Sequence, residues 1–331
     1  MIAVTGACGF IGSCLIADFN FNYRNDIVAV DLFKQPDKIC LDNIKNKTIL
    51  QRIDKDDFIQ WLDDNYTEID FIIHLGAISS TIMFDKETLK KYNTQYTQLV
   101  WDKCTQYSIP LIYASSAATY GDGSLGYSDD ESVIPNLKPL NPYGESKQAF
   151  DVWALEQEEK PPLWYGLKFF NVYGPNEYHK GQMASVVFHA YNQIMKTGKM
   201  ELFKSYKQGV NNGMQKRDFI YVGDVCNIIR WLMENTPQSG IYNVGTGKAR
   251  TFYDLARAIF KAMNKKVNIQ YIEMPQEIRD KYQYFTEANI SKLNNAGYHY
   301  PFTNIENGVF KYVTEYLCNL PVSKQANKNK Q

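Results

Sequence analysis

Tyr143 and Lys147 form the residue pair whose types and spacing point most directly to proton chemistry. They stand four residues apart in segment 141–147, so on a helix they share one face. A tyrosine hydroxyl can exchange a proton with an alcohol oxygen, but its ordinary pKa of about 10 makes it a weak base at neutral pH. A nearby ammonium group favours the phenolate and lowers that pKa. An ordinary amphipathic helix can show the same spacing, so the surrounding segments decide between the two interpretations.

A glycine-rich turn follows the first apolar segment, residues 2–5. Gly6, Gly9 and Gly12 recur every third residue, and apolar residues with helical spacing come next. A strand, a glycine turn and a helix form the context in which a helix N-terminus binds the pyrophosphate of a dinucleotide. The glycines permit a tight turn and a close approach of the backbone. The spacing differs from G-x-G-x-x-G, so taken alone it is also consistent with a plain glycine loop.

Asp31 ends the second apolar strand, 27–30, and this position is where a dinucleotide fold places a carboxylate for the adenosine ribose. A strand-end aspartate that merely starts a turn is the alternative. Lys34 and Lys38 follow closely and could accept a 2′-phosphate. The choice between NAD and NADP is therefore left open by these residues.

Two further apolar strands, 71–75 and 111–114, each run into small or hydroxyl-bearing residues, with a helix predicted over 92–106 between them. Such residues at the carboxyl ends of parallel strands face the crevice where these sheets bind ligands. His74 is expected to be a hydrogen-bonded strand residue, because no other ligand stands at metal spacing. The alternation of strands and helices predicts an α/β fold with a doubly wound parallel sheet. A last helix is predicted over 304–320.

Composition narrows the classes of partner. Lys plus Arg and Asp plus Glu both total 36 in 331 residues, and a formal net charge of zero argues against a nucleic-acid surface. The six cysteines form no C-x-x-C pair, which is typical of reduced thiols and predicts no metal site. No basic and apolar leader and no membrane-length apolar run is found in the sequence, so we expect a cytoplasmic protein with no membrane partner.

The motifs in order resemble the extended short-chain dehydrogenase/reductase family, and the resemblance continues through 169–175, 217–225 and 242–247. It implies a Rossmann-type dinucleotide-binding domain and a smaller C-terminal α/β domain for a nucleotide sugar. We predict the first over 1–170, with 216–247 returning to it, and the second over 171–320. The polar segment 321–331 is predicted to be disordered.

Segment 176–189, which contains Lys180, resembles the ADP-L-glycero-D-manno-heptose 6-epimerase family, as do 76–81, 216–219 and 282–286. A lysine in a polar loop is usually solvated, but the resemblance implies that Lys180 is a second acid/base opposite Tyr143. Inverting an alcohol carbon through a ketone requires a proton-handling group on each side of one nicotinamide, whereas a dehydrogenase needs one.

The same resemblance implies the remaining roles, position by position. Ser116 would orient the reacting oxygen beside Tyr143, and Lys147 would also bind the nicotinamide ribose. The cofactor positions are Gly6, Gly9, Phe10, Ile11, Gly12, Asp31, Leu32, Lys38, Lys55, Leu75, Gly76, Ala77, Ile78, Ser79, Asn93, Tyr143, Lys147, Val172 and Lys180. The substrate positions are Ser116, Asn171, Gln182, His189, Phe203, Lys204, Ser205, Tyr206, Arg217 and Tyr282. The sequence departs from the family pattern at Gln182, where a serine is expected, and over 207–215, which looks like an insertion.

The implied activity is interconversion of ADP-D-glycero- and ADP-L-glycero-D-manno-heptose at C6 through a 6-keto intermediate. Tightly bound NADP, with NAD as the alternative, would serve the reaction, in lipopolysaccharide core heptose biosynthesis. The resemblance also implies a homo-oligomer, a pentamer in this family. Two alternatives are another extended-family enzyme, such as a UDP-hexose 4-epimerase or a 4,6-dehydratase, and a non-catalytic NADP-binding module. A dehydratase usually carries Asp-Glu where this chain has Ala117 and Ala118. A 4-epimerase does not need Lys180. Non-catalytic modules commonly lack the Tyr143–Lys147 pair, which this chain retains.

Overall fold

A seven-stranded parallel sheet forms the centre of the molecule in the computed structural model, which describes residues 1–81, 83–279 and 282–320. Its strands are β1 (Ile2–Thr5), β2 (Ile27–Asp31), β3 (Gln51–Asp54), β4 (Phe71–His74), β5 (Leu111–Ser116), β6 (Trp164–Phe169) and, later in the chain, β11 (Gly240–Val244). The spatial order is β3-β2-β1-β4-β5-β6-β11, with every pair parallel. The predicted doubly wound α/β fold is confirmed. The predicted tail over 321–331 lies outside the described residues.

In the part of the chain that the structure describes, three two-stranded sheets lie outside the central one. Their strands are β7 (Asn171–Tyr173) with β10 (Phe219–Tyr221), β8 (Met200–Phe203) with β13 (Ile269–Ile272), and β9 (Lys216–Arg217) with β12 (Arg250–Thr251). These small sheets carry or adjoin many of the positions assigned to substrate. The strand β11 belongs to the central sheet, while the exact domain limits stay a prediction.

Helices cover both faces of the central sheet, which is why its strands are apolar on both faces. They are α1 (Phe10–Phe21), α2 (Lys38–Asp42), α3 (Phe58–Asn65), α4 (Lys86–Leu89), α5 (Tyr96–Gln106), α6 (Pro142–Glu156), α7 (Val186–Thr197), α8 (Val222–Asn235), α9 (Phe252–Ala262), α10 (Gln276–Arg279), α11 (Ser291–Asn295) and α12 (Ile305–Lys311). Among the described residues, no helix is long and apolar enough to cross a membrane.

Two helices differ from the sequence prediction. The helix predicted over 92–106 begins earlier, at Lys86, and α4 continues into α5 through a π-helical turn at Lys90–Gln95. A π-turn accommodates one extra residue in a helix and is often found at functional sites. The helix predicted over 304–320 is α-helical only in α12, and a π-helical segment, Tyr312–Tyr316, follows it.

The core has two parts, one on each face of the central sheet. The first core joins α1 and α8 with α7, α9 and α12, and buries residues such as Leu15, Ile229 and Val309. The second core joins α3, α5 and α6, and buries Trp101 and Phe150. Because the first core runs without a break from the dinucleotide side into the C-terminal helices, it sets the positions of the two sides of the candidate site.

Candidate active site

A cavity of about 920 Å³ opens at the carboxyl ends of the central strands. It is lined by twenty of the residues predicted from sequence. They are Gly6, Gly9, Phe10, Ile11, Gly12, Asp31, Leu32, Lys55, Leu75, Gly76, Ala77, Ile78, Ser79, Ser116, Tyr143, Lys147, Asn171, Val172, Lys180 and Gln182. The positions assigned to cofactor and to proton transfer therefore meet in one space.

The glycine turn is tightly packed against the next strand end. Gly6 has a φ of +64°, and a Cβ built on it would lie 2.8 Å from the backbone nitrogen of Gly76. A Cβ on Gly12 would lie 2.2 Å from the carbonyl oxygen of Gly6. Gly9 is the N-cap of α1 and provides no side-chain cap, so the first amide groups of that helix face the cavity unblocked. This cradle fits a dinucleotide pyrophosphate.

Asp31 is held by the backbone at the end of β2. One carboxylate oxygen accepts a hydrogen bond from the Cys8 amide at 2.8 Å and the other accepts from the Leu32 amide at 2.8 Å. Lys34 and Lys55 line the same end of the cavity. The carboxylate is therefore oriented toward the space where the predicted ribose would lie.

Lys38 does not line the cavity, in contrast to its predicted placement. It is the first residue of the short helix α2, whose N-cap Asp37 accepts a hydrogen bond from the Ile39 amide at 2.7 Å. The Lys38 side chain is exposed. Asp54, which was not among the predicted site residues, lines the cavity at the end of β3 and accepts from the Lys34 amide at 2.7 Å. Its position at a parallel strand end is the signal that could have found it.

Asn93 is buried and does not line the cavity. It lies in the π-turn, where its side-chain oxygen accepts from the Ile78 amide at 2.8 Å and its side-chain nitrogen donates to the Ile78 carbonyl at 3.0 Å. The same nitrogen donates to Ser146 Oγ at 3.0 Å. Asn93 therefore positions the 76–79 loop, and its contact with the cofactor stays a prediction. His74, as predicted, is a hydrogen-bonded strand residue, with Nδ1 2.7 Å from Thr5 Oγ1.

The Tyr143 and Lys147 face of α6 packs against the end of β5. Asn141 caps the helix by accepting from the Gly144 amide at 2.8 Å, and Pro142 takes the first helical position. Ser116 lies close enough to the Tyr143 hydroxyl to lower the pKa of that tyrosine. Lys147 Nζ donates to the Ala114 carbonyl at 2.8 Å. The helix start and these bonds hold both side chains at the cavity wall.

Burial controls the pKa values of both members of this pair. Burial raises the pKa of Tyr143, and the nearby Ser116 side chain opposes that rise. The spacing of the pair predicts a lowered tyrosine pKa, but loss of solvation has the larger effect in this structure. Burial also lowers the pKa of Lys147 to about 8, against an opposing effect of the Asp151 charge. The lysine is thus poised to change its protonation near neutral pH.

Lys180 approaches the cavity from a different part of the chain, in the 3-10 segment Tyr178–Met183. Its Nζ lies 5.6 Å from the centre of the Phe10 ring, at the start of α1. Burial lowers the pKa of Lys180, and the nearby charge of Glu177 opposes this. Glu177 is itself fixed, because it accepts from Ser185 Oγ at 2.7 Å. A lysine in this setting can exchange a proton more readily than an exposed one.

The substrate positions fall into two groups. Ser116, Asn171 and Gln182 line the cavity, and His189 Nε2 lies 3.3 Å from the Gln182 carbonyl oxygen without lining it. The other predicted substrate residues lie outside the cavity lining. They are Phe203, Lys204, Ser205, Tyr206, Arg217 and Tyr282. The two small sheets β8–β13 and β9–β12 carry or adjoin most of this second group.

Arg217 is buried between two aromatic rings. Its guanidinium carbon lies 5.3 Å from the centre of the Tyr282 ring and 5.6 Å from that of Phe252. The Phe203 and Tyr282 rings meet edge to face at 6.3 Å. Burial lowers the pKa of Arg217, which nevertheless keeps its charge near neutral pH. A buried guanidinium flanked by rings is suited to a planar or doubly charged ligand.

The segment 207–215 folds back on the predicted substrate loop. The Ser205 amide donates to Asn212 Oδ1 at 2.8 Å, and Gln215 Nε2 donates to the Phe203 carbonyl at 3.4 Å. Lys204 pairs with Glu273 at 2.5 Å, and Tyr206 also donates to Glu273. The segment 207–215, predicted to be an insertion, therefore holds the backbone of the loop at Phe203 and Ser205, while the side chains of the loop bind Glu273 after β13.

Comparison with known proteins decides the family. A model of the NAD dependent epimerase/dehydratase family matches residues 2–245. A Fusobacterium nucleatum protein named ADP-L-glycero-D-manno-heptose-6-epimerase is 47% identical over 328 residues, covering 96% of this chain and 98% of that protein. A protein of the same name from Nitratidesulfovibrio vulgaris is 45% identical over 320 residues, covering 96% and 98%. This chain belongs to the ADP-L-glycero-D-manno-heptose-6-epimerase family.

A solved structure agrees with this membership. The crystal structure of the Helicobacter pylori ADP-L-glycero-D-manno-heptose-6-epimerase matches with a TM-score of 0.79 and 27% identity, covering 95% of each chain. The predicted epimerase resemblance and the isomerase class are confirmed. As a member of a family described as NAD dependent, this epimerase uses a nicotinamide cofactor, for which the glycine cradle is a fit.

Proposed function

We propose that this protein interconverts ADP-D-glycero-D-manno-heptose and ADP-L-glycero-D-manno-heptose by inverting C6 through a 6-keto intermediate. The observation that carries this proposal is the cavity itself, in which Tyr143, Lys180 and the glycine cradle meet. The two proton-handling side chains reach it from α6 and from segment 178–183. One would suffice for a dehydrogenase, while two suit an epimerase.

Tyr143 and Lys180 exchange the proton of the C6 oxygen in opposite half-reactions. Ser116 lies beside the Tyr143 hydroxyl and favours its ionised form against the effect of burial. The bound nicotinamide supplies a group that accepts a hydride from C6 and gives it back. When the ketone turns in the cavity, its oxygen faces Lys180, whose lowered pKa eases proton transfer. Gln182, close to this lysine in the chain, offers an amide in place of the serine that the family pattern leads one to expect.

The nucleotide in this proposal is NADP. Lys34 and Lys55 line the cavity near Asp31. Lys34 pairs with Asp57 at 2.6 Å, with both side chains more than half exposed. Exposed ion pairs of this kind are weak, so a 2′-phosphate can replace Asp57 as the partner of Lys34. Nucleotide released from purified protein by denaturation and separated by ion exchange should be NADP; NAD alone would contradict this part of the proposal.

Arg217 binds the diphosphate in this proposal, with Tyr282 and Phe203 beside it. The planar fork of an arginine can contact two phosphate oxygens at once. Lys204, Ser205 and Tyr206 complete the wall on this side. By the family resemblance, the enzyme works in the cytoplasm as a homo-oligomer, a pentamer, and supplies heptose for the lipopolysaccharide core. Analytical ultracentrifugation would measure the oligomer; a monomer would contradict it.

The direct test offers the purified protein ADP-D-glycero-D-manno-heptose and UDP-galactose in separate reactions. NMR of the sugar protons should show inversion at C6 of the heptose and no change in galactose. Inversion of the UDP sugar alone would overturn the proposal. A Tyr143→Phe variant is the matched control, since it removes one hydroxyl and should leave the bound nucleotide in place.

A further inference from the structure

A buried ion pair lies directly beneath the catalytic face of α6. Lys168 Nζ, on β6, is 2.6 Å from Asp151 Oδ2, and the exposed fraction of both side chains is 0%. Among the ion pairs of the described residues, it is the one in which neither side chain reaches solvent. Asp151 follows Lys147 by one helical turn and Tyr143 by two, so the three share one side of α6.

The hydrogen bonds of this pair lead toward the site. Asp151 accepts hydrogen bonds from Ser115 Oγ at 2.6 Å and from the Tyr113 hydroxyl at 3.2 Å, both on β5. Lys168 also donates to Thr119 Oγ1 at 2.8 Å. Both charges are therefore hydrogen-bonded, as buried charges must be.

Thr119 connects the pair to the catalytic serine. Its hydroxyl accepts from Lys168 and donates to the Ser116 carbonyl at 2.8 Å. On the other side, Lys147 donates to the Ala114 carbonyl on β5. The pair and its neighbours thus link α6, β5, β6 and the turn at Ala117–Tyr120.

Stability alone is a weak reason for such a pair. Two charges lose their hydration on burial, and well-packed apolar side chains of similar volume often serve stability as well or better. The bonds of Asp151 and Lys168 instead converge on the backbone and side chains that carry Ser116, Tyr143 and Lys147. In some proteins, buried polar groups fix the register between neighbouring elements.

We propose that Asp151 and Lys168 are positioning residues for proton transfer, because they hold α6 and its Tyr143–Lys147 face in register with Ser116 on β5. This inference rests on the function proposed above. A misplacement of about 1 Å between reacting groups lowers a rate by roughly 100-fold. Loss of the pair should therefore act on kcat more than on substrate binding.

The charge of Asp151 adds a measurable signature at Lys147. Burial lowers the pKa of Lys147 to about 8, and the Asp151 carboxylate opposes that effect. The other titratable groups facing Lys147 are neutral here: burial lowers the pKa of His74 to about 3, and Tyr143 keeps its proton because burial raises its pKa. Without Asp151, Lys147 should lose its proton at a lower pH.

The main test replaces both charges at once, in the variant Asp151→Leu with Lys168→Met. Apolar replacement of a whole buried pair is compatible with folding, whereas either single change leaves one unpaired charge. We expect kcat to fall by about 10- to 100-fold with KM changed less than about threefold, and the alkaline limb of the kcat profile to move to lower pH. Wild-type kcat with an unmoved limb would overturn the inference.

A second variant keeps both charges and so remains informative if the double variant does not fold. Thr119→Val removes the hydroxyl between Lys168 and Ser116 at nearly constant volume, and Thr119→Ser restores it. We expect a loss of kcat of about tenfold in the valine variant and recovery in the serine variant. Equal kcat in the valine variant and the wild type would count against positioning.

A substrate-free measurement separates this inference from the proposed function. The Lys147 side chain, observed by NMR in protein carrying ¹³Cε-lysine and assigned with Lys147→Arg, should titrate at lower pH in the double variant. If the wild type turns over no nucleotide sugar, the proposed function is refuted. The Lys147 titration would then still show whether Asp151 acts on Lys147. An unchanged Lys147 titration would refute the effect of Asp151.

Discussion

In the proposed mechanism, Lys180 is the residue that separates an epimerase from a dehydrogenase. Its side chain comes from a segment well beyond the helix of Tyr143, yet both line one cavity. Burial lowers its pKa, and the charge of Glu177, whose own pKa is raised by burial, opposes that effect. The residue is thereby suited to give up and regain a proton, which a solvated lysine does poorly at neutral pH.

We expect Lys180→Ala to lower kcat by about 10²- to 10⁴-fold, the usual contribution of one acid/base group. The nucleotide should stay bound, because the glycine cradle and Asp31 lie on other elements. Turnover of ADP-heptose by NMR and nucleotide content per chain measure the two effects. The control is Lys196→Ala, an exposed lysine in the last turn of α7. Unchanged turnover in Lys180→Ala would remove this lysine from the mechanism.

The protonation of Lys147 should set the alkaline limit of activity. Burial lowers its pKa from 10.5 to about 8, so the ammonium form that assists Tyr143 is lost as pH rises through 8. We expect kcat to fall above about pH 8. Between about pH 8 and pH 10.5, Lys147 is protonated in the unfolded chain and largely deprotonated in the folded one. Because the unfolded chain binds more protons there, this group makes the free energy of unfolding rise with pH. A kcat that stays constant up to about pH 10 would contradict the assignment.

At the scale of elements, the glycine turn and α1 form a rigid cradle because the backbone leaves no room for side chains. Gly6 and Gly12 each face backbone atoms at less than van der Waals distance from a built Cβ. The π-turn in the helix that runs from α4 into α5 adds a second support, since it directs Asn93 to the loop at Ile78. Neighbouring elements thus shape the cofactor side before any ligand arrives.

The variants Gly6→Ala and Gly198→Ala test the cradle as a matched pair. Both glycines have a similar φ, +64° and +72°, but a Cβ meets the Gly76 backbone at 2.8 Å in the first and has nothing within 4 Å in the second. The shared backbone strain costs each variant about 1–2 kcal/mol. We expect only Gly6→Ala to bind its nucleotide more weakly, by about tenfold, which corresponds to about 1.4 kcal/mol. Equal nucleotide content by ultraviolet absorbance in both variants would speak against the cradle.

At the scale of the whole molecule, the two sides of the site are joined by one core. The first core contains β1 and α1 together with α7, α9 and α12. A segment with its own core could unfold separately, whereas a shared core couples the parts. The distance between Tyr143 and the residues around Arg217 is therefore set by packing across the chain and not by a flexible linker.

This continuity predicts a single unfolding transition in urea. Trp61, Trp101, Trp153 and Trp164 belong to the second core and Trp231 to the first, so fluorescence reports mainly on one side of the sheet. Circular dichroism reports on all helices. The two curves should coincide, since both cores share the central sheet. Separate midpoints would mean that the C-terminal half unfolds on its own.

Local sequence was sufficient to predict the elements that line the cavity on the glycine side and the Tyr143–Lys147 face. Gly6, Gly9 and Gly12 reflect backbone geometry that few other residues allow, and strand ends in a parallel sheet necessarily meet at one edge. For Lys180 the residues allowed a solvated lysine, and only resemblance to a family favoured an acid/base. Its burial beside Phe10 is a product of folding.

The burial and the spatial neighbours of several residues depend on long-range packing, which local sequence patterns do not show. Lys38 follows Asp31 closely in sequence, yet its side chain is exposed and lies outside the cavity lining. Asp151 and Lys168 have no local signature, because their pairing depends on α6 lying against β6. Burial of Tyr143 in the folded protein raises its pKa. Its spacing from Lys147 had led us to expect a lowered pKa. Solvation depends on the surroundings of a group in space, and no spacing along the chain encodes it.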